Sequence, residues 1–320
     1  MYFEVNRKQV FATTGGKTFD SDKPTVIFLH GSALDHTFWG LYSRFFAFRN
    51  YSVLVPDLPG HTHSEGPALT SIESIADWLN DVITTLNIKN ISVIAHSQGC
   101  LNALEFVSRY SNNIRTVSFI ANGLATPVNA ALINAAEENP EEAIAMMVGW
   151  GFGPAGHLYQ GPIPGNSMIA GGRNVMRGNV PHELAIDLRA CDTYKNGKVA
   201  AAKIFCPIQV ILAAKDRMAP RQATMELVDH LNNPEVHIMP ESGHMIPQEA
   251  PDKCRKLLKK SPQSQLKDLN HKNQRSTMEH SKITNLDNII KRPQKCRLCD
   301  GYGKIYRNDI GARGIEYFYL

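Results

Sequence analysis

One serine of the chain lies between an apolar run typical of a β-strand and a run with helical spacing. Ser97 is at the centre of residues 95–99, AHSQG, which follow the apolar residues 91–95 and open directly into residues 100–110. A sharp strand-to-helix turn exposes a serine hydroxyl, and small residues at both ends of the pentapeptide let strand and helix approach each other. The helix N-terminus favours negative charge here. The pattern predicts a nucleophile; the alternative is an ordinary serine in a turn.

Such a serine needs a base, because a neutral hydroxyl is a weak nucleophile. His244 is a candidate, since it follows a β-like run at residues 235–239 and the small pair Ser242-Gly243. A loop of this kind can bring an imidazole over the edge of a sheet. We therefore predict that His244 is the general base, the alternative being a solvated loop histidine.

The base in turn needs a carboxylate to orient it, and this acid is expected at the end of a strand between the serine and the histidine. Asp216 follows the apolar run at residues 208–213 and satisfies this order. The rival position, at the end of the previous strand, is Asn122, which carries no charge. Asp57 precedes the serine, and we interpret it as a turn residue. Asp216 is therefore the predicted acid, although a helix-capping or turn role would also suit it.

Negative charge that develops on a substrate oxygen requires preorganised donors. The backbone N–H groups of Gln98, directly after the serine, and of Ser32, in the loop His30-Gly31-Ser32, are in suitable places. Two further histidines, His30 and His96, flank the predicted site. We interpret both as structural or pocket-lining residues.

Short apolar runs alternate with helical segments along the chain and predict the elements that position these groups. Residues 2–14 predict a first strand, and residues 72–86 have helical apolar spacing. Further strands are predicted at residues 25–29, 51–55, 91–95, 117–121 and 208–213. Their nearly continuous hydrophobicity indicates strands covered on both faces. The predicted fold class is α/β, with a doubly wound, mostly parallel sheet.

About 80 residues separate the last two of these strands, too many for an ordinary connection. Residues 124–205 are therefore predicted to be an inserted helical cap, between core segments 1–123 and 206–260. Residues 149–156 and 161–165 combine glycine, proline and aromatic residues, which favours an ordered loop over a pocket. Four side chains are predicted to line a substrate pocket, although packing between cap and core is an alternative for each: Trp39, Met147, Trp150 and Phe152.

Residues 20–252 resemble the α/β-hydrolase superfamily, and within it the capped bacterial hydrolases. The resemblance rests on the nucleophile-elbow pattern around Ser97, a His-Gly loop, the turn at residues 57–61 and the Gly-His at residues 243–244. Ala95 and Thr62 depart from the usual glycines without removing a reacting group. A serine at the nucleophile position argues against the haloalkane dehalogenases and many epoxide hydrolases of this fold, which use aspartate.

The resemblance implies the α/β-hydrolase fold and a serine hydrolase that cleaves a small or medium apolar ester through an acyl-enzyme, without a cofactor. A carbon–carbon bond hydrolase or a thioesterase would use the same triad. A protein of another class, which binds and senses a ligand on the same fold, is a further alternative. The expected partner in each case is a small molecule.

Residues 261–320 differ from the rest in composition and are predicted to form a flexible, basic tail. Residues 251–320 contain 16 Lys and Arg against 7 Asp and Glu. Cys296 and Cys299 belong to a single CxxCxGxG copy that resembles the zinc region of J-domain chaperones. Structural zinc normally takes four ligands, so a zinc-free turn with two reduced thiols is preferred over a zinc site. No nucleic-acid module is recognised, and a solvated linker is the preferred interpretation of the charge.

The apolar runs and the cysteines of the sequence indicate where the protein is located in the cell. The chain has no run of about 18 apolar residues, its start has no signal-like run, and its six cysteines are scattered. These features predict a cytoplasmic protein that does not span a membrane.

Overall fold

One sheet organises the computed structural model, which describes residues 1–158, 165–179 and 183–259. Its strands have the spatial order β1-β2-β4-β3-β5-β6-β7-β8. Their bounds are β1 Tyr2–Val5, β2 Lys8–Thr13, β3 Thr25–Leu29, β4 Ser52–Pro56, β5 Ile91–His96, β6 Ile114–Ile120, β7 Ile208–Ala213 and β8 Glu235–Met239. The pairs β1–β2 and β2–β4 are antiparallel and all other pairs are parallel.

From β3 onward, consecutive strands are joined by helices, as the predicted α/β class requires. The described helices are α1 Gly40–Ala47, α2 Ile72–Thr85, α3 Gln98–Arg109, α4 Ala130–Glu138, α5 Pro140–Gly151, α6 Pro154–His157, α7 Met168–Arg177, α8 Glu183–Thr193, α9 Gly197–Ala201, α10 Arg221–His230, α11 Ile246–Glu249 and α12 Pro251–Lys259. Short 3₁₀ turns occupy His36–Trp39 and Ser111–Asn113. The chain therefore has the α/β-hydrolase fold. Among the described residues, no helix combines the length and the hydrophobicity that crossing a membrane requires.

The parallel strands are buried on both faces, which explains their continuous apolar sequences. All residues of β3, β4 and β7 are buried. Because side chains alternate along a strand, Ile27 and Leu29 pack into one hydrophobic cluster, which includes residues of α2 and α3. Val26 and Phe28 pack into the other, which includes residues of α1 and α12. The sheet is thus the middle layer between two apolar layers.

The first strand differs from the expectation of one strand over residues 2–14. β1 and β2 form an antiparallel hairpin in which Val5 pairs with Lys8. The two residues between them, Asn6 and Arg7, have φ angles of 52° and 62°. A two-residue turn with both φ angles positive matches the twist of a hairpin, and this turn divides the predicted strand.

The described residues between β6 and β7 form the helices α4 to α9. Residues 149–156 were expected to be a loop, but most of them belong to α5 and α6, so this expectation is wrong. The end of α5 approaches the loop of His244, where the Met245 N–H donates to the Gly151 carbonyl oxygen at 3.2 Å. A tertiary contact of this kind offsets the low helix propensity of glycine. Of the second expected loop, residues 161–164 lie outside the described residues.

Candidate active site

Ser97 lies on a strained turn between β5 and α3. Its φ and ψ angles are 54° and −128°, a conformation that non-glycine residues rarely adopt. The surrounding backbone holds it there, because the Ser97 N–H donates to the Ile120 carbonyl oxygen at 3.1 Å and the Cys100 N–H donates to the Ser97 carbonyl oxygen at 2.7 Å. The turn directs the chain out of the sheet at the carboxyl edge of its central strand.

Two glycines make this turn sterically feasible. A Cβ atom at Gly99 would lie 2.5 Å from the Leu29 carbonyl oxygen, and one at Gly31 would lie 2.9 Å from Ser97 Cβ. Both distances are below any normal contact for a Cβ atom. The close approach of α3 and the residue 30–32 loop to β5 therefore depends on glycine at these positions.

His244 reaches Ser97 although 147 positions separate the two residues. Its Nε2 lies 2.9 Å from Ser97 Oγ, and its Nδ1 lies 2.9 Å from Asp216 Oδ2. The imidazole is 3% exposed. The structure thus brings the three sequence-predicted side chains together in one continuous hydrogen-bonded row.

The carboxylate of Asp216 is fixed by more than the histidine. Its Oδ1 accepts hydrogen bonds from the backbone N–H groups of Met218 and Ala219, both at 2.8 Å. Burial alone would raise the pKa of Asp216, but the charge and hydrogen bond of His244, together with the two N–H donors, outweigh burial and lower the pKa. Asp216 is therefore an ionised carboxylate with one oxygen directed at His244.

The two flanking histidines contact backbone rather than the serine hydroxyl. His96 Nε2 lies 3.0 Å from the His244 carbonyl oxygen. Burial, with the nearby His244, lowers the pKa of His96 to about 3, so the neutral ring donates to that carbonyl. His30 is also fully buried; its Nε2 accepts from the Leu58 N–H at 3.4 Å, and burial lowers its pKa. Both residues hold segments that carry the site.

The two residues predicted to supply backbone donors are Ser32, in the loop after β3, and Gln98, at the start of α3. Gln98 is the first residue of α3, and N–H groups of a first helical turn have no intrahelical acceptor. Ser32 is 7% exposed and lines the same cavity as Ser97. Their roles as donors to a substrate oxygen stay a prediction.

Asp57, the carboxylate that the sequence did not favour as the acid, lies directly after β4. It is fully buried and its Oδ1 accepts from the His36 N–H at 2.8 Å, while the His36 ring also contacts it at 2.9 Å. It fixes the turn after β4 to the segment before α1.

A cavity of about 420 Å³ opens beside the serine and lies between residues of the segment that joins β6 to β7 and the carboxyl edge of the sheet. Ser97 and His244 line it. Of the four pocket residues predicted from sequence, Met147 and Trp150 line this cavity. Its other lining residues are Ser32, Asn122, Thr126, Pro127, Val128, Asn129, Leu132, Leu188, Cys191, Arg217, Met218 and Ala219.

Trp39 and Phe152 lie outside this cavity, which corrects the sequence prediction for them. Trp39 is 0% exposed, and its ring centroid lies 5.1 Å from that of Phe28 and 5.0 Å from that of Phe38. Phe152 is 2% exposed and packs so closely on α7 that a Cβ atom at Gly172 would lie 3.0 Å from its ring. Both aromatics are packing residues, the alternative that the sequence left open.

The amino-acid sequence is also similar to that of a known protein family. A model described as the alpha/beta hydrolase family matches residues 26–257 of the chain. This chain belongs to the alpha/beta hydrolase family.

Curated relatives of this alpha/beta hydrolase are distant. Uncharacterized proteins of Mycobacterium bovis and Mycobacterium tuberculosis are 27% identical over 127 residues, which are 39% of this chain and 37% of theirs. The match thus spans little more than a third of the length of the first curated relatives. A 2-hydroxy-6-oxononadienedioate/2-hydroxy-6-oxononatrienedioate hydrolase of Paraburkholderia phymatum is 23% identical over 261 residues, 74% of this chain and 86% of the relative.

Solved structures resemble this alpha/beta hydrolase over most of its length. An enol-lactonase from Burkholderia xenovorans has a TM-score of 0.70 at 20% identity, with 81% of this chain and 98% of that chain covered. A thermophilic esterase from Thermogutta terrifontis has a TM-score of 0.70 at 17% identity, with 81% and 96% covered. At such identities the similarity shows the fold.

Sequence reasoning missed several residues of this alpha/beta hydrolase site. Arg217 and Met218 directly follow the predicted acid, and their position in the chain could have indicated them. Asn122 was weighed only as a rival acid, yet its Nδ2 donates to the Ser97 carbonyl oxygen at 2.9 Å. Cys191 lies on α8, between β6 and β7, and no local pattern marks it. Cys296 and Cys299, for which a zinc-free turn is preferred over a zinc site, lie outside the described residues.

Proposed function

We propose that this chain is a serine hydrolase that cleaves a carboxylic ester of small or medium size through an acyl-enzyme. The observation that carries the proposal is a row of two hydrogen bonds, each 2.9 Å long. One joins Ser97 Oγ to His244 Nε2, the other joins His244 Nδ1 to Asp216 Oδ2, and Ser97 lines the cavity. Hydrogen bonds of this length join the nucleophile to the general base, and the base to the orienting acid, in enzymes that transfer acyl groups.

The arrangement supports a two-step reaction. The Ser97 hydroxyl donates to His244 Nε2, so the proton moves to the ring as Ser97 Oγ forms a bond to the acyl carbon. The protonated His244 then gives this proton to the departing alcohol oxygen as the carbon–oxygen bond of the ester breaks. His244 then takes a proton from water as the water oxygen attacks the acyl carbon, and it returns this proton to Ser97 Oγ as the bond between Ser97 and the acyl group breaks, which releases the acid. Asp216 stays ionised and compensates the charge of the imidazolium.

Two backbone donors suit the oxygen that becomes negative during both steps. Gln98 directly follows the nucleophile and is the first residue of α3, where N–H groups have no intrahelical acceptor, and Ser32 lines the same cavity as Ser97. We propose these N–H groups as the oxyanion hole. Fixed donors of this kind contribute more in a buried site than in water because they need no reorganisation.

The cavity supports a substrate of limited size. Its volume of about 420 Å³ lies at the lower end of the range for small-molecule sites, roughly 300–1,000 Å³. Leu132, Met147, Trp150 and Leu188 give it an apolar wall. A short acyl or alcohol group with little polarity suits this wall.

A second candidate, cleavage of a carbon–carbon bond, is favoured by the relative from Paraburkholderia phymatum, whose name specifies a 2-hydroxy-6-oxononadienedioate hydrolase. A thioesterase would use the same three side chains. A ligand sensor of this fold would retain the cavity and turn over slowly.

The test is reaction of the purified chain with a fluorophosphonate probe and with p-nitrophenyl esters of increasing acyl length, beside Ser97→Ala. We expect labelling and turnover in the wild type and neither in the variant, with an optimum at short chains. Absence of both in the wild type would contradict a serine hydrolase and favour the sensor. Labelling without ester turnover, but with turnover of a thioester or a vinylogous diketone, would favour the second candidate.

A further inference from the structure

The cap helix α8 places a buried carboxylate between the two segments that carry the proposed oxyanion donors. Asp187 is 1% exposed. Its Oδ2 accepts a hydrogen bond from the Ala33 N–H at 2.9 Å, and its Oδ1 accepts one from the Gln98 side-chain Nε2 at 3.1 Å. Ala33 directly follows Ser32, and Gln98 directly follows Ser97. One side chain of the cap therefore bridges both sides of the oxyanion site.

The loop that receives this carboxylate needs an external restraint. Ala33 has a φ angle of 53°, in the left-handed region that alanine rarely adopts. Such a conformation persists only where surrounding contacts impose it, and it is common at active sites. The bond from the Ala33 N–H to Asp187 is a contact of this kind, and it acts one residue away from the Ser32 N–H.

A second cap residue holds the same loop. Asn179 is 3% exposed, and its Nδ2 donates to the Leu34 carbonyl oxygen at 3.3 Å. Its Oδ1 accepts from the Thr62 N–H at 2.9 Å. Two cap residues thus bind the loop after β3: Asp187 at the Ala33 N–H and Asn179 at the Leu34 carbonyl oxygen.

The negative charge of Asp187 is compensated within the same cluster. His61 Nε2 lies 3.0 Å from Asp187 Oδ2, and His61 Nδ1 lies 3.1 Å from the Pro59 carbonyl oxygen. Both ring nitrogens face acceptors, so the doubly protonated ring satisfies both. A compensated carboxylate can orient N–H groups without opposing the negative charge that develops on a substrate oxygen nearby.

We propose that Asp187 is a positioning residue that fixes the oxyanion hole, so that the hole is complete only when the cap is docked. The proposal rests on the proposed hydrolase function, because it concerns the same site. Asp187 would act through Ala33 and Gln98 and would not touch the substrate. Its contribution would appear in the acylation step, where the oxyanion forms, rather than in ground-state binding.

The chain offers a matched control in Glu105. This carboxylate is 3% exposed and accepts hydrogen bonds from two residues that precede α9. The Tyr194 hydroxyl donates at 2.9 Å and Asn196 Nδ2 donates at 2.8 Å. It lies on α3, two helical turns after Gln98. A variant of Glu105 loses comparable hydrogen bonds, none of which involves Ala33 or Gln98.

The experiment measures kcat and KM for p-nitrophenyl butyrate, and inhibition by a boronic acid that forms a tetrahedral adduct, in the full chain. We expect Asp187→Ala to lower kcat about 100-fold, the usual effect of a displaced oxyanion donor. KM should change less than threefold, and the boronic acid should bind more weakly by a large factor. Glu105→Ala should lower the melting temperature but keep kcat within about threefold of the wild type, since it leaves the oxyanion segments in place.

Asp187→Asn keeps one acceptor oxygen and serves as the conservative variant. We expect its kcat to lie between those of wild type and Asp187→Ala, and it remains the test if Asp187→Ala does not fold. Unchanged kcat and boronic acid affinity in a folded Asp187 variant would overturn the proposal and leave Asp187 as a tie between cap and core. A wild type without labelling or turnover would instead remove the hydrolase function itself.

Discussion

The side-chain amide of Asn122 donates a hydrogen bond to the carbonyl oxygen of Ser97 at 2.9 Å. Asn122 directly follows Ala121 at the carboxyl end of β6, and its Oδ1 accepts from the Thr126 hydroxyl at 2.8 Å. The residue therefore ties the strained turn of the nucleophile to the neighbouring strand end. It occupies the position of the rival acid but supports the serine instead.

Loss of this bond should loosen the turn. We expect Asn122→Ala to lower kcat for a p-nitrophenyl ester by roughly tenfold, because small displacements of a nucleophile have large effects on rate. Thr126→Val removes only the second bond of Asn122 and should change kcat less than threefold. Equal effects of the two substitutions would contradict a specific role for the bond to Ser97.

Replacement of Asp216 by asparagine should inactivate the chain without unfolding it. The Asp216 Oδ1 atom accepts two backbone N–H bonds, so the oxygen of an asparagine would remain there and its NH₂ would face His244 Nδ1. His244 would then carry its proton on Nε2 and could not accept one from Ser97. We expect kcat to fall by about 10⁴-fold, as for a wrong tautomer in a triad, with little change in circular dichroism. Retained turnover would contradict the role of Asp216.

The His61–Asp187 pair should make stability depend on pH. Burial alone would lower the pKa of His61, but the charge and hydrogen bond of Asp187 and the Pro59 carbonyl raise it to about 9. Because the folded pKa lies above the ordinary value of about 6.5, the stabilisation is fully present below pH 6.5 and is lost as the pH rises through 9. Each pKa unit corresponds to about 1.4 kcal/mol.

The measurement compares melting temperatures of wild type and the double variant His61→Gln, Asp187→Asn, in which both titrating groups are replaced. His30, whose ring centroid lies 5.5 Å from that of His61, is present in both proteins. We expect the advantage of the wild type to be largest near pH 6 and to shrink by pH 9.5. A constant difference over this range would show that His61 is not charged in the fold.

Enlarging the cavity should shift the preferred acyl length. Trp150 lines the cavity and Phe152 does not, although only two positions separate them. We expect Trp150→Ala to move the optimum of the p-nitrophenyl ester series to longer chains. Phe152→Leu should leave the optimum unchanged and lower the free energy of unfolding by about 1 kcal/mol, as for other small core truncations. A shifted optimum in Phe152→Leu would contradict the assignment of the cavity wall.

Arg217 places a positive charge at the cavity wall and should favour substrates with a distal carboxylate. It is exposed, so the gain should be modest, about 0.2–1 kcal/mol or up to about fivefold in kcat/KM. We expect Arg217→Gln to lower kcat/KM for monomethyl succinate but not for methyl butyrate, measured by pH-stat. Arg221→Gln, an exposed arginine that does not line the cavity, is the control. An equal loss on both esters would contradict a selective contact.

The sequence by itself indicated the parallel strands of the sheet and the three residues of the proposed triad. β3 and β7 match the predicted runs to the residue, because strands buried on both faces require continuous apolar sequence. The half-buried strand β8 also has its predicted bounds. Ser97, Asp216 and His244 each follow a parallel strand, namely β5, β7 and β8. Parallel strands bring their carboxyl ends to one edge, so the order of the elements was sufficient to place these side chains close together.

Only the tertiary structure decided which residues between β6 and β7 contact the loops at the edge of the sheet. Asp187 and His61 are 126 positions apart, and Asp187 and Ala33 are 154 apart. Trp39 and Phe152 are aromatic residues of the kind that often line apolar pockets, yet they are buried among other apolar side chains. Local sequence specifies that a helix forms and which side chains are apolar. The direction in which each side chain points depends on how the helix docks, and docking is a balance of contacts from the whole fold.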